Sequence, residues 1–249
     1  DVCSSDLDEL FNGLALRELK QLESLVQEIL GEEPDAPDPD IITLPNRAEP
    51  PQTRTGRTVV AGSGSGKTIL CRVCDILQGH IVDDGLNPDV TNELEICAAD
   101  DYRIRAVDYD EVAFHPHTPF WFRDPVLLEK VEIFNYILLL IARNLYRDVI
   151  FFCPSDFGGR LRDSIDVSIP WDQRREYLLE RERRDPDGWH PRLSDISEID
   201  HNIEASRAHF MSLKEAYEYA AQGLTPRNVS TRSIALATHE YFHSIFKDF

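Results

Sequence analysis

Basic residues are scarce in this 249-residue chain: 26 Lys and Arg stand against 45 Asp and Glu, for a formal net charge of −19. Neutralising a phosphate backbone needs a basic surface, so the deficit argues against a general nucleic-acid binder. Long hydrophobic runs are missing too. The longest, Tyr136 to Ala142, is far shorter than the ~20 residues of a membrane-spanning helix, and no charged-then-apolar leader opens the chain. A soluble cytoplasmic protein with no membrane partner is expected. The 5 cysteines are an odd number without framework spacing, which argues against a disulfide scaffold and for free thiols in a reducing compartment. Cys71 and Cys74 form a CxxC that no second pair follows, and both read as small helix residues.

What is present is enough apolar surface for a core, with 42% hydrophobic and 9% aromatic residues, and a length that suits one domain with an appendage. Residues 1–30 form the appendage. Asp1 to Leu7 resembles translated sequencing adapter and is set apart from the fold. Leucines and other apolar residues at steps of three and four from Leu7 to Leu30 predict one amphipathic helix, docked on the main domain or serving self-association. Residues 31–55 hold six of the 15 prolines and an acidic cluster, the composition of an extended linker.

From residue 56 to 249 short β-branched runs alternate with helical stretches, the pattern of an α/β domain with a parallel sheet flanked by helices. Strands are predicted at Thr58–Ala61, His80–Val82, Leu94–Ala98, Asp148–Cys153 and Ile165–Ile169. Helices are predicted at Gly66–Gln78, Asp124–Asn144, Trp171–Arg184, Ser194–Gln222 and about Ser230–Phe246, the last two as a helical C-terminal region able to form a lid or cap.

Ala61-Gly62-Ser63-Gly64-Ser65-Gly66-Lys67-Thr68 fits the phosphate-binding loop pattern, with Ala at its first glycine, and it lies between a predicted strand and a predicted helix. Glycines let successive N–H groups curl into one concavity, and the helix start adds favourable potential for an anion. Gly62, Ser63, Gly64, Ser65 and Gly66 are thus expected to cradle the phosphates of ATP. Lys67 would reach the β- and γ-phosphates, and the Thr68 hydroxyl would ligate Mg²⁺.

With that loop the chain resembles the P-loop small-molecule kinases of the uridine kinase, phosphoribulokinase and nicotinamide riboside kinase group, over roughly Gly56 to Trp189. The resemblance implies a P-loop NTPase fold and an ATP-dependent transfer of phosphate to a hydroxyl of a nucleoside- or sugar-like metabolite. Ala99-Asp100-Asp101-Tyr102 is similar to the family's Asp-Asp-x-Tyr segment. That likeness implies Asp101, with Asp100 close behind, as the acid near the γ-phosphate that takes the acceptor's proton and helps hold the metal. Trp171 to Asp185 resembles the Arg-bearing lid helix, with Arg181 and Arg184 as lid cations, although intermixed Arg and Glu equally suit a solvated face. The strand at 148–153 runs into Pro154-Ser155-Asp156 rather than the family's Glu-Gly, and only Asp156 offers a replacement acid. Asp108 to His117 falls where the family binds its acceptor. A nucleotide-binding or NTPase module without kinase activity is the first alternative. The second is a zinc metallohydrolase, because His239-Glu240-Tyr241-Phe242-His243 is a literal HExxH in a helical run, lacking a third ligand downstream.

Overall fold

A computed structural model describes residues 2–31, 57–80, 103–118, 121–186, 191–210 and 212–248. The linker expected at 31–55, apart from Gly31, lies outside these residues. So do the expected strand Leu94–Ala98 and nearly all of His80–Val82, and with them Asp100 and Asp101.

Five parallel strands carry the domain: β1 (Thr58–Ala61), β2 (Arg105–Asp108), β3 (Val149–Cys153), β4 (Ile165–Ser168) and the two-residue β5 (His209–Phe210), in the order β2-β3-β1-β4-β5. In β3 every residue is buried, as expected of a strand covered on both faces. Its side chains alternate between two cores. Val149, Phe151 and Cys153 join one, and Ile150 and Phe152 the other. The α/β architecture is thus as the sequence predicts, whereas β2 and β5 were not anticipated. β2 is short and begins with Arg105, which hides its apolar character. That guanidinium is fully buried, paired with Asp75 and donating to the Thr231 hydroxyl at 2.6 Å.

On one face α3 (Lys67–Leu77) and α7 (Leu213–Ala221) cover β1 and β3. The other face packs against α4 (Pro125–Leu145), capped by Asp124, whose carboxylate accepts from Val126 N at 2.9 Å and Leu127 N at 3.2 Å. The apolar run 136–142 sits in this helix and is buried all round, between the sheet, α8 (Thr231–Asp248) and the N-terminal helices. α8 is therefore part of the core rather than a lid.

The appendage is two helices, not one: α1 (Val2–Gly13) and α2 (Leu16–Leu30). Ala15 is extended, and its N–H donates to the Glu18 carboxylate at 2.7 Å, so the chain re-enters helix with a new cap. Leu19, Leu22 and Val26 lie fully buried against α4, and Leu7, set apart in the sequence reading, is itself a core residue. Ile29, on the same helix, is exposed. The single helix expected over 194–222 is likewise divided into α6 (Glu198–Arg207), β5 and α7. Here Ser212 caps α7, accepting from Glu215 N at 3.2 Å while Glu215 accepts from Ser212 N at 2.8 Å. No helix among the described residues is long and apolar enough to cross a membrane. Cys71, Cys74 and Cys153 are free and buried.

Candidate functional site: a glycine loop facing a buried aspartate

β1 delivers the chain at Ala61 into a loop that α3 leaves at Lys67. Gly64 and Gly66 adopt φ of +81° and +91°, a left-handed backbone that other residues resist. Gly66 ends the loop as the N-cap of α3, whose first turn contains no acidic residue. Lys67 is only 6% exposed and folds back over the loop, its Nζ 3.4 Å from the Gly62 carbonyl, a long and weak contact. The Ser65 hydroxyl is buried without a hydrogen-bond partner. Backbone N–H groups at a helix start, a flexible cation and an unmatched hydroxyl together form a cradle for an anion.

Thr68, one residue into α3, is exposed, and its hydroxyl donates to Asp108 Oδ2 at 2.6 Å. Asp108 ends β2, and its second oxygen accepts from Asp110 N at 3.2 Å. The residue is 3% exposed. Burial above all, and then the Asp110 charge, push the Asp108 carboxyl above the usual aspartate range, against the pull of Lys67 and the Thr68 hydrogen bond. Glu111, one turn on, is raised by burial and by Asp108. Hard oxygen donors beside an anion cradle suit Mg²⁺, which takes few protein ligands and completes its shell with phosphate and water.

The family resemblance implies Asp101 as the proton-accepting, metal-holding acid, outside the described residues, and leaves Asp156 as the replacement for the separate Glu-Gly acid. Asp156 does not line the cleft, although its neighbours Pro154, Ser155 and Phe157 do. Its carbonyl instead accepts from Arg160 N and Leu161 N. The residue brought to Thr68 is Asp108. The available signal was a second Asp-Tyr pair at 108–109, following Arg105-Ala-Val.

α5 (Trp171–Arg184) lies across the loop. Leu178 is fully buried, and a Cβ on Gly64 would stand 2.9 Å from its Cγ. Gly64→Ala therefore combines a clash with a left-handed φ, and a loss of about 1–3 kcal/mol is expected, read as a lower melting temperature. Of the helix's arginines, Arg174 touches the loop: its Nε donates to the Ser63 carbonyl at 2.9 Å. Arg181 and Arg184 line the same cleft. Arg181 donates to the Pro191 carbonyl, and burial pulls its guanidinium below its ordinary value. Arg184 Nε pairs with Glu180 at 2.9 Å, the arrangement of a solvated face.

The cleft encloses about 1880 Å³ and runs from the loop to the 108–115 segment. That segment is tied to α4 through Asn135, whose backbone carbonyl accepts from the Tyr109 hydroxyl at 2.5 Å. The Asn135 side-chain amide exchanges two bonds with the Phe114 backbone, at 2.7 and 3.0 Å. His115 Nε2 donates to the Asp110 carbonyl at 2.7 Å. His239 supports the same segment from α8, its Nε2 donating to the Val112 carbonyl at 2.9 Å. Burial lowers the pKa of this imidazole. Glu240 is exposed, and among the described residues no group of three His, Cys, Asp or Glu gathers to hold a metal.

Set against known proteins, the chain matches no family model, no curated protein and no solved structure.

Proposed function

We propose that this chain is a cytoplasmic P-loop phosphotransferase that binds ATP with Mg²⁺ and phosphorylates a hydroxyl of a small metabolite. The observation that carries the reading is the Thr68 hydroxyl held 2.6 Å from the buried Asp108 carboxylate, beside a glycine loop that Lys67 spans. The loop N–H groups of 62–66 bind the β-phosphate, and Lys67 Nζ exchanges its weak contact with Gly62 for the β- and γ-phosphate oxygens. Thr68 and Asp108 would hold Mg²⁺, which neutralises charge on the phosphates when bound.

Asp108 takes the role that the family resemblance implied for Asp101. Its burial favours the protonated form, which strengthens the carboxylate as a base. The acceptor hydroxyl gives its proton to this carboxylate as its oxygen bonds to the γ-phosphorus. The bond from that phosphorus to the β-bridging oxygen breaks, and ADP leaves. Arg181 and Arg184, on the cleft wall, supply positive charge to the transferring phosphoryl group. Acidic and aromatic side chains that also line the cleft, among them Asp110, Glu132 and Trp121, offer hydrogen-bond acceptors and ring faces to a hydroxyl-rich acceptor.

Calorimetry with Mg²⁺-ATP, followed by ATP-consumption assays over nucleosides, sugars and related alcohols, tests the reading. Saturable binding and turnover of at least one acceptor are expected. Binding without turnover would reduce the protein to a nucleotide-binding module, and absence of binding would remove the phosphate-loop reading.

A further inference from the structure

We propose that His201 is a positioning residue that sets the Gly62–Gly66 loop through Arg174, an inference resting on the nucleotide-binding reading of that loop. Arg174 is 5% exposed and His201 2%. The Arg174 guanidinium divides its nitrogens among three tasks. Nε donates to the Ser63 carbonyl at 2.9 Å, Nη1 donates to His201 Nδ1 at 2.9 Å, and Nη2 lies over Gly62, where a Cβ would come within 2.5 Å of it. An arginine can only donate, so Nδ1 of His201 is the acceptor. The imidazole is oriented by Trp171, one turn before Arg174 on the same face of α5, with ring centroids 5.2 Å apart.

Neither Arg174 nor His201 is among the residues lining the cleft, so any influence on a ligand runs through the loop. The path is covalent geometry. In a trans peptide the C=O and the next N–H point in opposite directions. A guanidinium fixed on the Ser63 carbonyl therefore fixes the direction of Gly64 N–H, away from Arg174. Without His201 the planar guanidinium keeps its bond to Ser63 but loses a hydrogen bond that helps hold its plane. The peptide between Ser63 and Gly64, bounded on one side by a glycine, is then freer to rotate.

The experiment uses the full chain with His201→Leu, His201→Asn, Arg174→Met and the Leu/Met double variant. Amide hydrogen exchange is read without nucleotide at Ser65, which bonds the Gly62 carbonyl at 3.3 Å, and at β3 as a reference for global opening. Losing one hydrogen bond to a charged group corresponds to about a tenfold change in an equilibrium. His201→Leu and Arg174→Met should each speed Ser65 exchange about tenfold with β3 unchanged. The double variant should add nothing, and His201→Asn, whose amide oxygen can accept from Arg174, should restore protection. If His201→Leu also loosens β3, His201→Phe replaces it, because an aromatic ring keeps the packing on Trp171 and offers Arg174 no nitrogen acceptor. Unchanged Ser65 exchange in the variant used, additive effects, or failure of Asn to rescue would overturn the proposal. Absence of Mg²⁺-ATP binding by the wild-type chain overturns the nucleotide reading alone, since the exchange experiment contains no nucleotide. With nucleotide, affinity should fall about tenfold in His201→Leu and recover in His201→Asn.

Discussion

Lys67→Ala is expected to lower Mg²⁺-ATP affinity about ten- to a hundredfold while shifting the melting temperature of the free protein only slightly. The two halves of this result have one cause. Lys67 is buried, and its hydrogen bond to the Gly62 carbonyl, at 3.4 Å, is too long to return much of what desolvating the ammonium costs. Removing the side chain therefore takes from the free protein mainly its attraction to the buried Asp108 carboxylate, offset by relief of the ammonium's desolvation. With phosphate present the ammonium becomes a charge-assisted donor to oxygens carrying full negative charge, and that gain is what alanine forfeits. Lys67 also draws the Asp108 carboxyl downward, so the variant should leave Asp108 more readily protonated and weaken Mg²⁺ dependence as well. Calorimetry and a thermal melt read both halves. Equal affinity in wild type and variant would end the phosphate role of Lys67.

Asp108→Asn should set stability against activity more sharply: a more stable free protein, with Mg²⁺-dependent transfer reduced about a hundredfold or more. The folded protein raises the Asp108 pKa through burial, reinforced by Asp110. A carboxyl raised on folding contributes stability that is fully present below its unfolded pKa and is lost as pH climbs through the folded value. At neutral pH the ionised carboxylate is therefore a cost to the fold, and asparagine removes the charge while keeping groups able to bond Thr68 and the Asp110 amide. Glu111 and Glu132 are raised by burial in the same sense. Asp108 should accordingly take away stability as pH rises from mildly acidic toward neutral, so the melting-temperature advantage of Asp108→Asn over the wild type should widen across that range. Thermal melts across this range check it. A less stable variant, or one with undiminished transfer, would contradict the role given to Asp108.

Elements whose character is local were legible from residue order. The β-branched run at 58–61, the apolar run at 149–153, the alternating run at 165–168, and the helical periods of α3, α4 and α5 all appear where periodicity places them. The glycine loop is legible for the same reason, since its residues are consecutive and its backbone demands are met by its own glycines at 64 and 66. The break at Ala15 is also locally specified, by the Glu18 carboxylate capping Ala15 N–H, but a continuous leucine period from Leu7 to Leu30 masked it.

What depended on partners distant in the chain was not legible. β2 is a strand because Asp75 and Thr231 accommodate its buried Arg105, and β5 exists because β4 offers an open edge at Val167 and Ser168. By itself the sequence determined an α/β chain of acidic surface, with a glycine loop between strand and helix and a candidate set of acids and arginines around it. Only the tertiary structure decided that Asp108 meets Thr68, that Arg174 rather than Arg181 or Arg184 lies on the loop, and that His239 braces Val112. Local periodicity tells which residues share a face, but which face meets which neighbour follows from burying all the apolar faces at once.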